Sequence, residues 1–319
     1  MQYYFVRRVF LFFPTAFLVS LAAFLLMQVL PGDAALVRFV GSGGVESASP
    51  EELQRVRHEL GLDRPLYQQY ESWVWDVARL DLGKSAYSGR AIMEEIRKRL
   101  PVTMELAFFA TICSVIIAIP LGIISAIRQN SWLDYLVRVI SISGLTLPTF
   151  WSGTLVLLAL VILFNYSPPI LYTAPWQNPW INFQQMAWPI LILGYYFSAV
   201  LARMTRSSML EVLRQDYVRT ARAKGLRERV VLYRHALKNA LLPIVTLAAI
   251  QFGVLLGGTV VMEQIFALPG LGTAAVDAIA QRDFIFVQDV ILLLALAFLT
   301  VNLMVDVLYA WLDPRIRYA

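Results

Sequence analysis

The 319 residues are 58% hydrophobic and 15% charged, with a formal net charge of +5, whereas a soluble globular chain is about 45 to 50% apolar and about 25% charged. That balance excludes an ordinary water-soluble domain, and the one cysteine, Cys113, excludes an intrachain disulfide or a cysteine metal cluster. The Lys and Arg excess sits beside apolar runs, which points to a membrane face and away from nucleic acid.

Spanning roughly 30 Å of hydrocarbon takes about 20 mostly apolar residues. Residues 9–30 are the first such run. Arg7 and Arg8 precede it as they would a cleavable signal, but the run exceeds a signal core of about 7 to 15 residues and is read as a retained helix.

Residues 31–100 follow with ten basic and eleven acidic side chains, too long a segment to vote on topology. Ser49-Pro50-Glu51-Glu52 is a capping box with proline at the first helical position, predicting a short helix to about Leu60, ended by Gly61. Pro65 opens a second helix, in which Leu66, Tyr70, Trp73, Val77 and Leu80 share one stripe. The stripe either packs on the outer ends of the spans or docks an external partner. Gly83-Lys84-Ser85 resembles the end of a phosphate loop, but the motif needs glycine where Ala78 stands, so no nucleotide is expected. His58 and His235 are too scattered for a metal site.

The second apolar run is 102–127 and the third 139–164, the latter interrupted by Ser141, Ser143, Gly144, Thr146, Pro148, Thr149, Ser152 and Gly153. Pro148 can kink the third helix; the small residues either line a solute path or let helices pack closely. The outer loop with Pro168, Pro169, Trp176 and Trp180 suits an interfacial aromatic belt. The fourth run, 187–202, is short. In the fifth, 241–262, Gln251, Gly253, Gly257, Gly258 and Thr259 make a second polar and small stretch. The loop Leu268-Pro269-Gly270-Leu271-Gly272 after it either dips towards a pore or caps the span. The sixth run is 290–312, with Asp306 as its one charge. A charge at the bilayer centre costs about 2.5 to 3.5 kcal/mol on insertion scales, so Glu105 and Asp306 need either a structural partner or a functional reason.

Orientation follows from the loops. Residues 203–238 hold ten Lys and Arg against three acids, residues 165–186 hold no charge, and 263–289 hold Arg282 as their one basic residue. The basic loop is therefore cytoplasmic, and so are both termini, in keeping with Arg7 and Arg8 at one end and Arg315 and Arg317 at the other. Within 203–240 the sequence favours helix on both sides of Gly225, where a positive φ lets the chain reverse. Leu210, Leu213, Tyr217 and Ala221 recur on one face, with Arg214, Arg219, Arg222 and Lys224 elsewhere. Such a segment either lies on anionic headgroups or is a lever seated in a groove of a soluble partner.

The wording DYVRTARAKGL followed by HALKNALLP, within Gln215 to Pro243, resembles the coupling loop of ABC importer permeases of the dipeptide, oligopeptide and nickel group. Further matches run along the chain: VRRV, LPGD at Leu30 to Asp33, LGLDRPLYQQY, DLGKS, RLPVTMEL, IPLGI, PTFW, LLGGTVVMEQIFALPGLG, RDFIFVQ and LDPRIR. The chain departs from the broad importer pattern by placing Arg219, Thr220 and Ala221 where an EAA triplet stands. What the resemblance implies is an all-α polytopic protein with six transmembrane helices in the type I ABC importer permease fold. A helical external insertion, 31–100, would lie between helix 1 (1–30) and a five-helix core (101–319) with its coupling loop at 203–240. It implies a bacterial or archaeal inner-membrane permease for short peptides, with nickel, glutathione or oligosaccharide as alternative solutes. The expected partners are a second homologous permease, two cytoplasmic ATPase subunits and an external solute-binding protein, with ATP hydrolysed on the partners and no cofactor here. Coupling would fall to Asp216, Tyr217, Ala221, Ala223, Lys224 and Gly225. Pore or gate positions would be Ser143, Thr146, Pro148, Gln251, Gly257, Pro269 and Gly270. A proton-coupled secondary transporter would need ionisable relays and an internal repeat, neither of which is found; HExxH and GxSxG, marks of a hydrolase, are also missing.

Overall fold

The computed structural model describes residues 2–29, 35–37, 50–59 and 61–312. Ser49 of the capping box, Leu60, the Leu30 to Asp33 match, Arg315 and Arg317 lie outside them. Among the described residues the secondary structure is helical except for one isolated bridge, Lys84 with Ala91. In chain order the main helices are α1 Gln2–Val29, α2 Pro50–Glu59, α3 Leu66–Ala78, α4 Ile92–Ile127, α5 Trp132–Thr146 and α6 Thr149–Phe164. They continue with α7 Pro179–Leu213, α8 Asp216–Ala223, α9 Glu228–Gly258, α10 Val260–Ile265, α11 Leu271–Ala280 and α12 Phe284–Leu312.

Five of these, α1, α4, α7, α9 and α12, are long and apolar enough to cross a membrane, and α5 with α6 makes a sixth if the pair is one broken span. The expected boundaries need correction. The short fourth run is the middle of a 35-residue helix, α7, and α4 begins at Ile92 rather than near Val102. Polar turns extend the helices past their apolar runs, because a helix can continue where its backbone bonds are already made. The third run is not a kinked helix but two helices meeting at 98°. Steric pressure from the Pro148 ring drives the preceding residue out of the α region, and Leu147 is indeed extended, at φ −86° and ψ 119°.

Contacts divide the chain into two compact units, one of Val9–Thr103 with Pro269–Leu299 and one of Met1–Arg8, Met104–Leu268 and Thr300–Ala319. In the first, α3 lies against α1. The Tyr70 and Ser20 hydroxyls are 2.7 Å apart, Tyr70 stacks edge-on to Phe24 at 5.4 Å, and the Trp73 indole donates to Asp289 at 2.8 Å. Packing on α1 thus accounts for two residues of the predicted stripe, Tyr70 and Trp73, which meet Phe24; Val77 is half-buried, and the ends, Leu66 and Leu80, are exposed. The phosphate-loop lookalike holds a protein carboxylate instead: the Ser85 hydroxyl and the Ala86 N–H both donate to buried Asp283. A core of Met27, Ile92, Ile96, Leu271, Phe286 and Val290 closes the unit.

In the second unit α4 and α7 approach on small residues. A Cβ added at Gly122 would sit 2.6 Å from Thr205 Cγ2 and 2.8 Å from the Ala202 carbonyl oxygen. Because a backbone carbonyl cannot swing aside, Gly122→Ala should destabilise the subunit by about 1 to 3 kcal/mol. At Gly257 nothing lies within 4 Å of an added Cβ, so Gly257→Ala should stay within about 0.5 kcal/mol of the parent. Thermal shift of the two purified variants in one detergent checks this; equal losses would refute the packing argument. The two charges singled out in the spans both have partners, Glu105 accepting from the Tyr172 hydroxyl at 2.7 Å and Asp306 facing Arg8 at 3.0 Å.

Candidate functional site

Helix α8 leaves α7 after Arg214 and Gln215, whose extended backbone (φ −73°, ψ 148°) resets the helix axis. The two helices expected within 203–240 are therefore α8 and the start of α9, and the predicted apolar face is corrected with them. Val218 and Ala221 are the buried pair, packed with Val231 against Val212 and Leu213, while Tyr217 is turned outward. The break between α7 and α8 shifts the phase of the stripe by about one residue, which periodicity across an assumed continuous helix cannot register.

The end of α8 is a Schellman turn. Gly225 N–H bonds the Arg222 carbonyl at 2.9 Å, Leu226 N–H bonds the Ala221 carbonyl at 3.4 Å, and Gly225 takes φ +75°. Arg222 forks onto Glu228 at 2.7 and 3.2 Å across the turn; that bond holds the Arg222 guanidinium above its ordinary pKa. Asn239 of α9 donates to the Tyr217 hydroxyl at 2.9 Å. Residues 231–237, where α9 begins, are wound as a π-helix, a rare form that is frequent at functional sites.

What this hairpin presents outward is mixed. Asp216, Arg219, Thr220, Ala223, Lys224 and Gly225 are exposed, and among them Tyr217, Leu226, Val230 and Tyr233 expose 36 to 60% of their area. Of the six residues the resemblance selects for coupling, all lie on α8 and the turn that ends it, five on the surface and Ala221 beneath it.

Below the hairpin lies a charge cluster the sequence reading passed over. The Asp134 carboxylate, fully buried at the start of α5, accepts from Arg206 of α7 through Nε and Nη2, both at 3.1 Å, and from Arg138 at 2.9 Å. The Asn130 N–H at 3.0 Å and the Ser125 hydroxyl of α4 complete its shell. Asp134 also stands in a first helical turn capped by Ser131, four residues before Arg138, the pattern of a solvated helix start; the one clue in sequence was Arg206, a second cation close to an apolar run.

The expected pore residues are dispersed between the two units. In the second unit, the hydroxyls around the α5–α6 bend turn back onto their own helices, Thr146 to Ile142 and Ser152 to Pro148, at 2.9 and 3.2 Å. Ser143 reaches the Tyr195 hydroxyl of α7 at 2.6 Å. Thr146 and Pro148 are exposed, as is Gly257 of α9. Gln251 is buried, and its side-chain oxygen has no hydrogen-bond partner among the described residues. A cavity of about 360 Å³ opens beside the bend, lined by Gly144, Trp151, Trp188 and Tyr195 among others. The loop between α6 and α7 is pinned by Gln185, which donates to the Pro169 and Leu171 carbonyls, and by Tyr172, whose phenol is pushed above its ordinary pKa by burial and by the Glu105 carboxylate. In the first unit, Pro269 is exposed and Gly270 buried just before α11. Among the described residues no cluster of His, Cys, Asp and Glu could hold a metal.

Comparison with known proteins gives consistent matches. Residues 118–318 match the family described as binding-protein-dependent transport system inner membrane component, and residues 1–107 match the N-terminal model of the same system. The chain is 38% identical to the dipeptide transport system permease protein DppB of Alkalihalophilus pseudofirmus, covering 99% of both chains. It is 39% identical to the glutathione transport system permease protein GsiC of Escherichia coli K12, again over 99% of each. Among solved structures, a chain of the MetNI methionine ABC transporter in inward-facing conformations superposes with a TM-score of 0.56 at 17% identity, covering 69% of this chain and 97% of that one.

Proposed function

This chain belongs to the binding-protein-dependent transport system inner membrane component family, and we propose that it is the permease subunit of an ATP-driven importer of short peptides. The observation that carries the mechanism is the turn at Gly225, a rigid hairpin between α7 and α9 that exposes apolar side chains among cations. A surface of that kind suits a groove in a soluble protein better than headgroups alone, because Leu226 and Val230 gain from burial and the fixed φ of Gly225 presents them in one geometry. The partner is an ATPase pair; Asp216, Tyr217, Ala223, Lys224 and Gly225 form the contact and Ala221 the floor. The basic loop and both termini face the cytosol, and the external segment receives solute from a binding protein.

A second, homologous permease completes the pore, with Ser143, Thr146, Pro148, Gln251 and Gly257 on the path and Pro269 and Gly270 near its outer gate. Relatives named for dipeptide and for glutathione transport both handle short peptides, which favours that solute class over nickel or oligosaccharide. Cells carrying the full set of subunits should take up labelled di- and tripeptides after the proton gradient is collapsed and stop when ATP is depleted. Uptake that follows the gradient, or a tagged subunit that never brings an ATPase with it, refutes the reading.

A further inference from the structure

We propose that Arg206 and Asp134 form a clamp that carries movement of the coupling hairpin into the α5–α6 bend, making Arg206 a positioning residue for transport. The proposal rests on the reading of 216–226 as the ATPase contact. Val218 and Ala221 pack on Val212 and Leu213 at the end of α7, so α8 and the last turn of α7 move together. Arg206 lies two turns further up α7, and its guanidinium forks onto both oxygens of Asp134. A fork is a directional joint: it resists sliding and rotation of one helix against the other in a way a single point charge does not.

The carboxylate end of the joint is immobile. Asp134 has no exposed side-chain surface, and the Ser125 hydroxyl of α4 and the Asn130 N–H hold it from the other side. At its far end α5 is tied to the same helix again: the Ser143 and Tyr195 hydroxyls meet at 2.6 Å, and the Tyr195 hydroxyl also donates to the Ile140 carbonyl at 2.7 Å. Helix α5 is thus a strut fastened to α7 at both ends, and it continues through the 98° bend at Leu147 and Pro148 into α6, whose Gly153 lies against Met262 and Ile265 of α10. Displacing α7 at the hairpin moves the strut, and the bend moves with it. Arg138 bonds the same carboxylate from within α5, so it adds charge without joining two helices. A buried ionic cluster is a costly way to obtain stability alone, since apolar replacements of similar volume often do as well.

The test uses the whole complex, two permeases and two ATPases, reconstituted in liposomes with dipeptide and binding protein, in a Cys113→Ser background. Environment-sensitive fluorophores are placed in separate preparations on Thr220→Cys in the hairpin and Phe150→Cys beyond the bend, both exposed positions. With Arg206 intact, ATP should change both signals. In Arg206→Met the Thr220 signal should persist, the Phe150 response should fall at least threefold, and peptide imported per ATP should fall at least tenfold. Arg206→Lys, which keeps the charge but not the fork, should lie between, and it decides the matter if the methionine variant does not assemble. Arg138→Gln should retain the Phe150 response. A Phe150 response and yield per ATP within twofold of the parent in the Arg206 variants overturns the clamp, as does an Arg138→Gln variant damaged to the same degree. A Thr220 signal indifferent to ATP in the otherwise unaltered complex would overturn the coupling reading itself, and the clamp with it.

Discussion

Replacing Asp134 by alanine is expected to lower the stability of the isolated subunit by about 3 to 5 kcal/mol, the usual consequence of removing one partner from a buried ion pair. Two guanidinium groups converge on this carboxylate, and Arg206 has only 23% of its side chain exposed. Without Asp134 both lose their shared counter-charge, Arg206 in the more buried place and Arg138 with 38% of its side chain exposed, and the Ser125 hydroxyl and Asn130 N–H lose their acceptor. Adding Arg206→Met to Asp134→Ala removes half of the uncompensated charge and should recover part of the loss. Denaturation of purified subunit in a fixed detergent measures both. A single-variant loss below 1 kcal/mol, or a double variant weaker than the single, would show that water reaches the cluster.

The second large effect is functional. Gly225→Val should abolish ATP-dependent uptake, by tenfold or more, while the subunit still inserts and folds. A left-handed backbone costs an L-residue about 1 to 2 kcal/mol, and a β-branched side chain is the least suited to it. No neighbour lies within 4 Å of the site where a Cβ would be, so the penalty comes from φ +75° and not from crowding. The chain escapes it by unwinding the Schellman turn, which displaces Leu226 and the Arg222–Glu228 fork. Gly225→Asn should retain most uptake, because asparagine visits the left-handed region readily. Uptake assays alongside membrane abundance separate the two variants; a functional valine variant would mean that the turn's shape is not what the partner reads.

Much of this arrangement was legible from the amino-acid sequence, and what was not has a common cause. Apolar runs identify spans because hydrocarbon imposes a single requirement on every residue of a run, and Gly225 announced its turn because few residues accept its φ. Helix ends were less visible: α4 and α7 continue through polar turns on backbone bonds that composition does not encode. The phase error at Tyr217 arose from the short interruption at Arg214 and Gln215, which no apolar or turn-forming residue marks. Asp134 escaped notice since its meaning depends on Arg206, 72 residues away, and a carboxylate near the start of a helix is ordinarily solvated. Ser85 shows the reverse case, a conspicuous local motif whose hydroxyl donates to Asp283, distant in sequence.

The right-angled junction of α5 and α6 also bears on how the subunit survives before assembly. Fifteen residues of α5 rise only about 22 Å, short of the roughly 30 Å thickness of hydrocarbon. The first amides of α6 have no side-chain cap. Irregular backbone at that depth persists only against protein or water. Under the proposed pairing with a second permease that covers this corner, a newly made copy without it would carry a defect that lipid cannot heal, so membrane proteolysis should clear orphan copies quickly and the supply of the second permease should set the lifetime of this one.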